Sequence, residues 1–505
     1  MAMRLASAVA GVAAFLVASA CGEAPQSPPS AAPGAVASSS PDAVQTRIGT
    51  LNFEKGFPTE ETKHKIFDEV DYQRAVQAFM WAYPAVSFEA IRVGLKRDLG
   101  VDYYDMAIAD DYLNPKSLWL TANDTTIYAV TNVDLGKSGP VVVDMPPGAI
   151  VGIIEDYWQR SISDIGLPGP DGGKGGKFLI LPPGYKGDVP KSGYFVLQGT
   201  MNDYNIMVRG ILVDNDQQVA VQNTKRVKVY PYSDRDNPKP NRFVSMSGKV
   251  MDTLPTKGLA FWETLSNFIN NNPMEERDVF FMGMLRPLGI EKGKPFKPDA
   301  RQRAILEEAA RMGEVMGRVT LMEGPERFGN PEPFPGTHWH WVFQVNPVQE
   351  TERYGQIDER LHYTYGAIYT TPGLGVMKAG PGGNYVQVFK DKNGNRLDGG
   401  KSYHLHVPAK APAAAFWSIT LYDTGNRSMV QNRTDDAARS SLDKLKTNAD
   451  GSIDLYFGPS SPAGMESNWI ETVPGKGFYP MMRFYSPKEG LFDGTWKLPD
   501  VELTK

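Results

Sequence analysis

Between Thr59 and Leu99 the apolar residues Ile66, Val70, Ala75, Val76, Phe79 and Met80 recur at spacings near three and four, and Pro84 interrupts the run. That period predicts two helices meeting at Pro84. From Leu118 to Val229 the texture changes to short apolar runs between Gly and Pro clusters: Val141 to Val143, Ile150 to Ile154, Phe178 to Leu181, Tyr194 to Leu197 and Ile206 to Val213. Such runs read as antiparallel strands of a β-sandwich. The stretch Gly166 to Gly176 is dense in Gly and Pro and reads as a mobile loop; it lacks the Lys-Ser/Thr ending of a phosphate-binding loop.

Helical spacing returns at Leu259 to Ile269, at Glu275 to Leu288 and, most regularly, at Ala300 to Met322. In the last segment Ile305, Leu306, Ala309, Met312, Val315, Met316 and Val319 form one apolar stripe, expected to pack in the core. A Pro- and aromatic-rich stretch, Gly324 to Trp341, leads into a second strand-rich half. There Asn393-Gly394 and Asp450-Gly451 mark turns. Asp391, Asn393 and Asn395 begin like a calcium loop, but Ser402 stands where such a loop needs its bidentate Glu, so a hairpin turn is expected.

Composition sharpens this pattern. Fifty Gly and 39 Pro imply many turns between short elements, which favours β architecture, and 505 residues exceed what one core holds. The formal net charge of −5 comes without long single-sign runs, so nucleic acid is not expected as a partner.

At the start, Arg4 precedes an uncharged apolar run from Leu5 to Ala20, too short for a comfortable membrane span and laid out like a signal peptide. The small residues Val17-Ala18-Ser19-Ala20 before Cys21-Gly22 resemble the lipobox of bacterial lipoproteins, with Ala18 in place of the more usual Leu. Two readings stand: lipidation of Cys21, or an ordinary secretory signal that leaves a spare thiol. Cys21 is the only cysteine, and a lone free thiol sits poorly in an oxidising compartment, which favours lipidation. The Ala/Pro/Ser-rich residues after it cannot build a core and read as a disordered tether.

The run Asn123-Asp124-Thr125-Thr126-Ile127-Tyr128, then Asp134-Leu135 and Gly139 to Val143, resembles the family of domains of unknown function numbered 1254. Downstream, Tyr403 to Val407, Ala415 to Asp423, Asp450-Gly451-Ser452, Asn468-Trp469 and Met482 to Tyr485 resemble the partner family numbered 1214. The resemblance implies a mainly β protein with a helical insert: an N-terminal β-sandwich, a helical segment and a C-terminal jelly-roll-like β-sandwich. It gives the division 1–20 signal peptide, 21–57 lipidated Cys21 and tether, 58–255 N-terminal helices and sandwich, 256–330 helical segment, and 331–505 C-terminal domain. The chain departs from the family pattern at Arg433 to Asp436.

For chemistry, the pairs His338/His340 and His404/His406 place two imidazoles on one face of a strand, the spacing of jelly-roll metal sites. A divalent metal and a satisfied structural role both remain open, with His362 the spare third ligand. No Gly-x-Ser-x-Gly elbow occurs. Asp124, Glu155 and Asp156 are the default carboxylates for hydrolysis. Asp124 lies in a polar cluster with Asn123 and Thr125 that serves equally as a turn. Arg209, Arg483 and Tyr485 interrupt apolar strands, where a guanidinium must be paired or face a cleft; structural ion pairing and recognition of an anion are the two readings. Trp158, Trp417 and Trp469 suit either core packing or stacking on a ligand.

Three functional readings follow. The first is an envelope protein that binds or hydrolyses a polar small molecule or oligosaccharide in a cleft between the sandwiches, with Asn123, Asp124, Thr125, Tyr128, Arg209, Trp417, Arg483 and Tyr485 as contacts. The second is a structural or assembly lipoprotein, and the third a metalloenzyme using the His pairs. In each the protein is held to a membrane by its lipid, facing the periplasm or exterior.

Overall fold

The computed structural model describes residues 42–504 apart from 215, 330 and 331. The expected signal peptide, Cys21 and the tether as far as residue 41 lie outside the described residues. Two compact units divide between Lys65 and Ile66.

In the first unit, Ala43–Thr46, Gly49–Glu54 and Phe57–Pro58 form a three-stranded antiparallel meander, which corrects the tether expected up to residue 57. Its turns are locally encoded. Lys55 and Gly56 both take positive φ, 52° and 83°, the two-residue turn whose twist matches paired strands. The Thr46 hydroxyl donates to the Gly49 carbonyl across the other turn at 2.7 Å.

The first helix, Glu60–Leu99, runs through Pro84 unbroken, correcting the expected pair of helices. A proline in a helix removes an N–H and crowds the preceding turn, freeing carbonyls there. Here the turn is buried and side chains from elsewhere supply donors: Arg360 Nη2 to the Trp81 carbonyl at 2.9 Å, and Gln159 Nε2 to the Pro84 carbonyl at 3.1 Å.

The architecture is mainly β with a helical insert. A six-stranded sheet runs in the order Phe243–Ser245, Met106–Ala109, Ile127–Asp134, Asp203–Gly210, Ile150–Asp156, Ser161–Gly166. A four-stranded sheet holds Phe195–Gln198, Gly176–Leu181, Val141–Met145 and Lys228–Pro231. In the C-terminal half, five strands run His340–Trp341, Gly383–Gln387, Phe478–Pro487, Ala413–Asp423, Ala438–Ser440. Against them packs a four-stranded sheet of Trp469–Glu471, Ile453–Gly458, Tyr403–Val407 and Glu502–Leu503.

The strand Phe478–Pro487 is buried on both faces, and its alternation sorts two cores. Phe478, Met482 and Phe484 join the interior of the C-terminal sandwich. Tyr479 and Met481 face the other way, into a larger core that reaches back through the six-stranded sheet to the first helix. Arg483 and Tyr485 share that second face.

The helical insert comprises Leu259–Asn271, Val279–Leu285 and Ala300–Glu323, the middle one shortened to two turns of helix flanked by 3₁₀ turns. The apolar stripe of the last helix divides. Ile305, Leu306 and Ala309 are buried, whereas Met312, Val315 and Val319 are exposed. Glycines take over the inner face: a Cβ on Gly313 would lie 2.2 Å from Phe79 Cδ1, and one on Gly317 2.4 Å from Tyr365 Cδ2. The aromatic rings need that space, so the packed face follows small residues rather than large apolar ones. A further helix, Ile357–Gly366, lies in the half read as strands; from Arg360 onward it is buried all round and so lacks an amphipathic period.

The segment Gly166 to Gly176, expected to be a mobile loop, is cross-braced: Asp171 Oδ1 accepts from the Gly166 N–H at 2.8 Å, and the Gly173 N–H donates to the Gly166 carbonyl at 3.0 Å. The Asp391 carboxylate accepts from the N–H groups of Asn393 and Asn395, each at 2.9 Å, making the expected turn. Among the described residues no helix is long and apolar enough to cross a membrane.

Candidate functional site

Two sheets bring one set of side chains together. In the six-stranded sheet Tyr128 stands directly opposite Arg209. In the five-stranded sheet Arg483 is opposite Tyr385 on one side and Ser418 on the other, and Tyr485 is opposite Phe416. The facing surfaces enclose a pocket of about 340 Å³, lined by Asn123, Tyr128, Arg209, Arg483 and Tyr485 among others. Its remaining wall is largely apolar, including Leu113, Trp119, Val130, Met207, Met246 and Leu374.

Asn123 joins the two sheets. Its Nδ2 donates to the hydroxyls of Tyr128 at 2.7 Å and Tyr485 at 2.9 Å, while its Oδ1 accepts from Thr125 and Thr126 in the turn before the strand. The Asn123 cluster is therefore both a turn and a pocket wall.

Arg483 is fully buried. Nη1 donates to Thr420 Oγ1 at 3.0 Å, and Nη2 to the Thr121 carbonyl at 3.0 Å and to the Tyr422 hydroxyl. Its guanidinium lies 5.2 Å from the Tyr385 ring centre, and that of Arg209 5.2 Å from the Tyr485 ring centre. Burial opposes the charge on Arg209, but the phenolic oxygens of Tyr128, Tyr385 and Tyr485 outweigh it and raise its pKa. For Arg483, burial is likewise outweighed, chiefly by Tyr422 and Tyr485. Burial pushes the hydroxyl of Tyr485 well above the usual range and that of Tyr422 up to about 12.

Neither Arg209 nor Arg483 forms an ion pair among the described residues. Of the two fates open to a guanidinium in an apolar strand, both face the cleft. The carboxylate in the lining, Asp164, accepts from Thr371 Oγ1 at 2.6 Å and from the Gly373 N–H at 3.0 Å.

Three non-glycine residues of the lining take a left-handed backbone. Thr121, Tyr369 and Ser486 all line the pocket at positive φ, 50°, 68° and 51°, although none is glycine. Gly382, also in the lining, has φ 126° and approaches Gly373 so closely that a Cβ would lie 1.9 Å from its carbonyl oxygen.

Three of the expected contacts lie elsewhere. Trp417 belongs to the C-terminal sandwich core, because strand alternation turns Phe416 toward the pocket and Trp417 away from it. Asp124 and Thr125 sit in the turn behind Asn123, outside the lining. The Asp124 Oδ1 is enclosed without a hydrogen-bond partner, and burial, then the neighbouring Asp436, pushes the carboxyl up to about 7. Of the other default carboxylates, Glu155 accepts from the Thr370 N–H at 2.7 Å and Asp156 pairs with Arg160 at 2.6 Å; neither lines the pocket. Trp158 is core, and Trp469 donates to the Gly458 carbonyl at 2.9 Å.

Three of the four paired histidines meet carboxylates. His404 Nε2 and His406 Nδ1 both meet Asp454 Oδ1, at 2.9 and 2.8 Å, and His338 Nδ1 meets Asp500 Oδ2 at 2.9 Å. His362 meets the Thr320 carbonyl at 2.9 Å, and burial drives its pKa down to about 4. Among the described residues no group of three or more His, Cys, Asp or Glu side chains is arranged to hold a metal. His338, His340, His404 and His406, expected as metal ligands, thus belong to no such group.

Tyr385, Tyr369, Thr121 and Phe416 are pocket residues that reading the chain missed. The available signal was Gly382-Gly383 just before Tyr385, which marks close backbone approach.

No curated protein matches this chain. The structure is similar to the crystal structure of the VPA0106 protein from Vibrio parahaemolyticus, with TM-score 0.53 and 19% identity over 86% of this chain and 100% of that one. It also matches an uncharacterised protein from Burkholderia cenocepacia at TM-score 0.39 and 10% identity, over 88% of this chain and 96% of that one. The first likeness is one of fold. The family models of proteins of unknown function match in two places, DUF1254 over residues 105–231 and DUF1214 over residues 382–489. The pocket draws Tyr128 and Arg209 from the first region and Arg483 and Tyr485 from the second, in a chain that joins DUF1254 to DUF1214 in that order.

Proposed function

We propose that this protein binds a small molecule with an apolar body in the pocket between the six- and five-stranded sheets. The observation that carries the reading is the convergence of Asn123, Tyr128, Arg209, Arg483 and Tyr485 on a 340 Å³ space with largely apolar walls. Concave, mostly apolar sites with few placed polar groups are the usual form of a ligand pocket. An assembly role alone requires no such site. The apolar wall favours a compact ligand over an oligosaccharide, and a lone lining carboxylate offers no pair for glycoside hydrolysis. Three strained non-glycine residues around the same space support a selected geometry.

Native mass spectrometry of the full chain, before and after denaturing extraction, tests the reading. A retained or added small molecule binds the wild type and is lost in Ala415→Trp, which puts bulk into the lining from an exposed position. Binding unaffected by Ala415→Trp refutes it.

The same proposal places the protein in the cell envelope, anchored through Cys21. Cys21→Ala is expected to move it from the membrane to the soluble fraction; unchanged membrane association removes that part.

A further inference from the structure

We infer that the ligand of this pocket carries an anionic head, a carboxylate, seated against Arg209 with its apolar body against the wall of Leu113, Trp119 and Met246. This names the ligand class for the binding reading above and rests on it.

The Arg209 guanidinium has no counter-charge among the described residues. Arginine stays protonated in proteins, and a guanidinium removed from water needs both a full set of acceptors and a counter-charge. Arg209 is 7% exposed and Arg483 0%. Arg483 has acceptors in Thr420, Thr121 and Tyr422. Arg209 does not have a full set: its Nε is enclosed with no partner. The groups that face it are the phenols Tyr128, Tyr385 and Tyr485, which lend oxygen dipoles and ring faces but no net charge. The lining carboxylate, Asp164, is bound by Thr371 and Gly373. Two positive charges thus line a largely apolar pocket. A carboxylate in the pocket supplies the missing counter-charge to the guanidinium that lines it, and the phenolic hydroxyls donate to its oxygens.

Calorimetric titration of the full chain with octanoate, 1-octanol and octylammonium separates charge from shape, because the three share one apolar body. Octanoate is expected to bind roughly 10- to 100-fold more tightly than octanol, the range of a buried charge-assisted hydrogen bond, with octylammonium undetected. Arg209→Gln abolishes that preference, and Arg209→Lys restores part of it. The wild-type ratio of octanoate to octanol stands as a test even if the variants fail to fold. Octanol or octylammonium binding as tightly as octanoate, with Ala415→Trp still abolishing it, overturns the anion assignment and leaves the pocket reading standing. Failure of all three to bind, or binding that Ala415→Trp leaves unchanged, overturns both.

Discussion

Asp124 offers a test of the electrostatics behind the pocket. Its carboxyl is half-buried, its Oδ1 has no partner, and its pKa stands at about 7 rather than the ordinary 3.8. Burial is the main cause. Asp436 and Asp443 add to it, and Arg483 opposes them. The folded protein therefore holds this proton more tightly than the unfolded chain. Well below pH 3.8 both states are protonated and Asp124 is neutral to stability. As pH rises to 7 the unfolded state ionises first, and stability falls; above 7 the penalty is constant. The full gap between 3.8 and about 7 corresponds to roughly 4 kcal/mol, and water reaching a half-buried carboxyl reduces this to about 1–3 kcal/mol. Asp124→Asn keeps the shape and removes the ionisation. It is expected to stabilise the protein by about 1–3 kcal/mol at pH 8 and by far less at pH 4. Urea denaturation followed by tryptophan fluorescence at both pH values reads the difference, provided the slope with denaturant is unchanged. A variant equally stable to wild type at pH 8, or one that stabilises more at pH 4 than at pH 8, refutes the reasoning.

The other predictions concern packing and the polar bridge. Gly313→Ala drives a methyl into Phe79, a ring stacked on Phe261 at 4.0 Å, and should destabilise by about 1–3 kcal/mol, whereas Gly283→Ala has open space and should stabilise by about 0.5–1 kcal/mol; the same denaturation assay reads both, and equal signs would contradict the packing account. Asn123→Ala strands the partners in Thr125, Thr126, Tyr128 and Tyr485 and should cost about 2–3 kcal/mol, against about 1 kcal/mol for Tyr485→Phe, measured by the same unfolding curves. Because Asp454 engages both His404 and His406, dialysis against zinc should leave far less than one metal per chain by elemental analysis; stoichiometric zinc lost in His404→Ala would overturn that account.

Much of the architecture was legible from pattern. Short continuous apolar runs such as Val141 to Val143 and Phe178 to Leu181 bury their side chains in sheets, and a helical period over Glu60–Leu99 and Ala300–Glu323 yields helices, because these patterns act within a few residues. Tyr128, Arg209, Arg483 and Tyr485 were also legible, since polar residues inside apolar strands need a reason to be there, and Asn123 was legible from the polar cluster that precedes its strand.

What the chain could not decide locally was which face each residue shows and what supplies its partners. Pro84 sits in a continuous helix because Arg360 and Gln159, hundreds and tens of residues away, donate to the carbonyls of its turn. Gly313 and Gly317 became the packed face of their helix because Phe79 and Tyr365 arrive there. Trp417 and Phe416 are neighbours with equal claims to a ligand, and only the placement of the five-stranded sheet between two cores sends one to the sandwich interior and the other to the pocket. The sequence alone determined the elements and the unusual polar residues within them, through short-range period and composition. Tertiary structure decided which of those residues meet and which charges lie unpaired, because the pairing of a buried group depends on segments far apart in the chain.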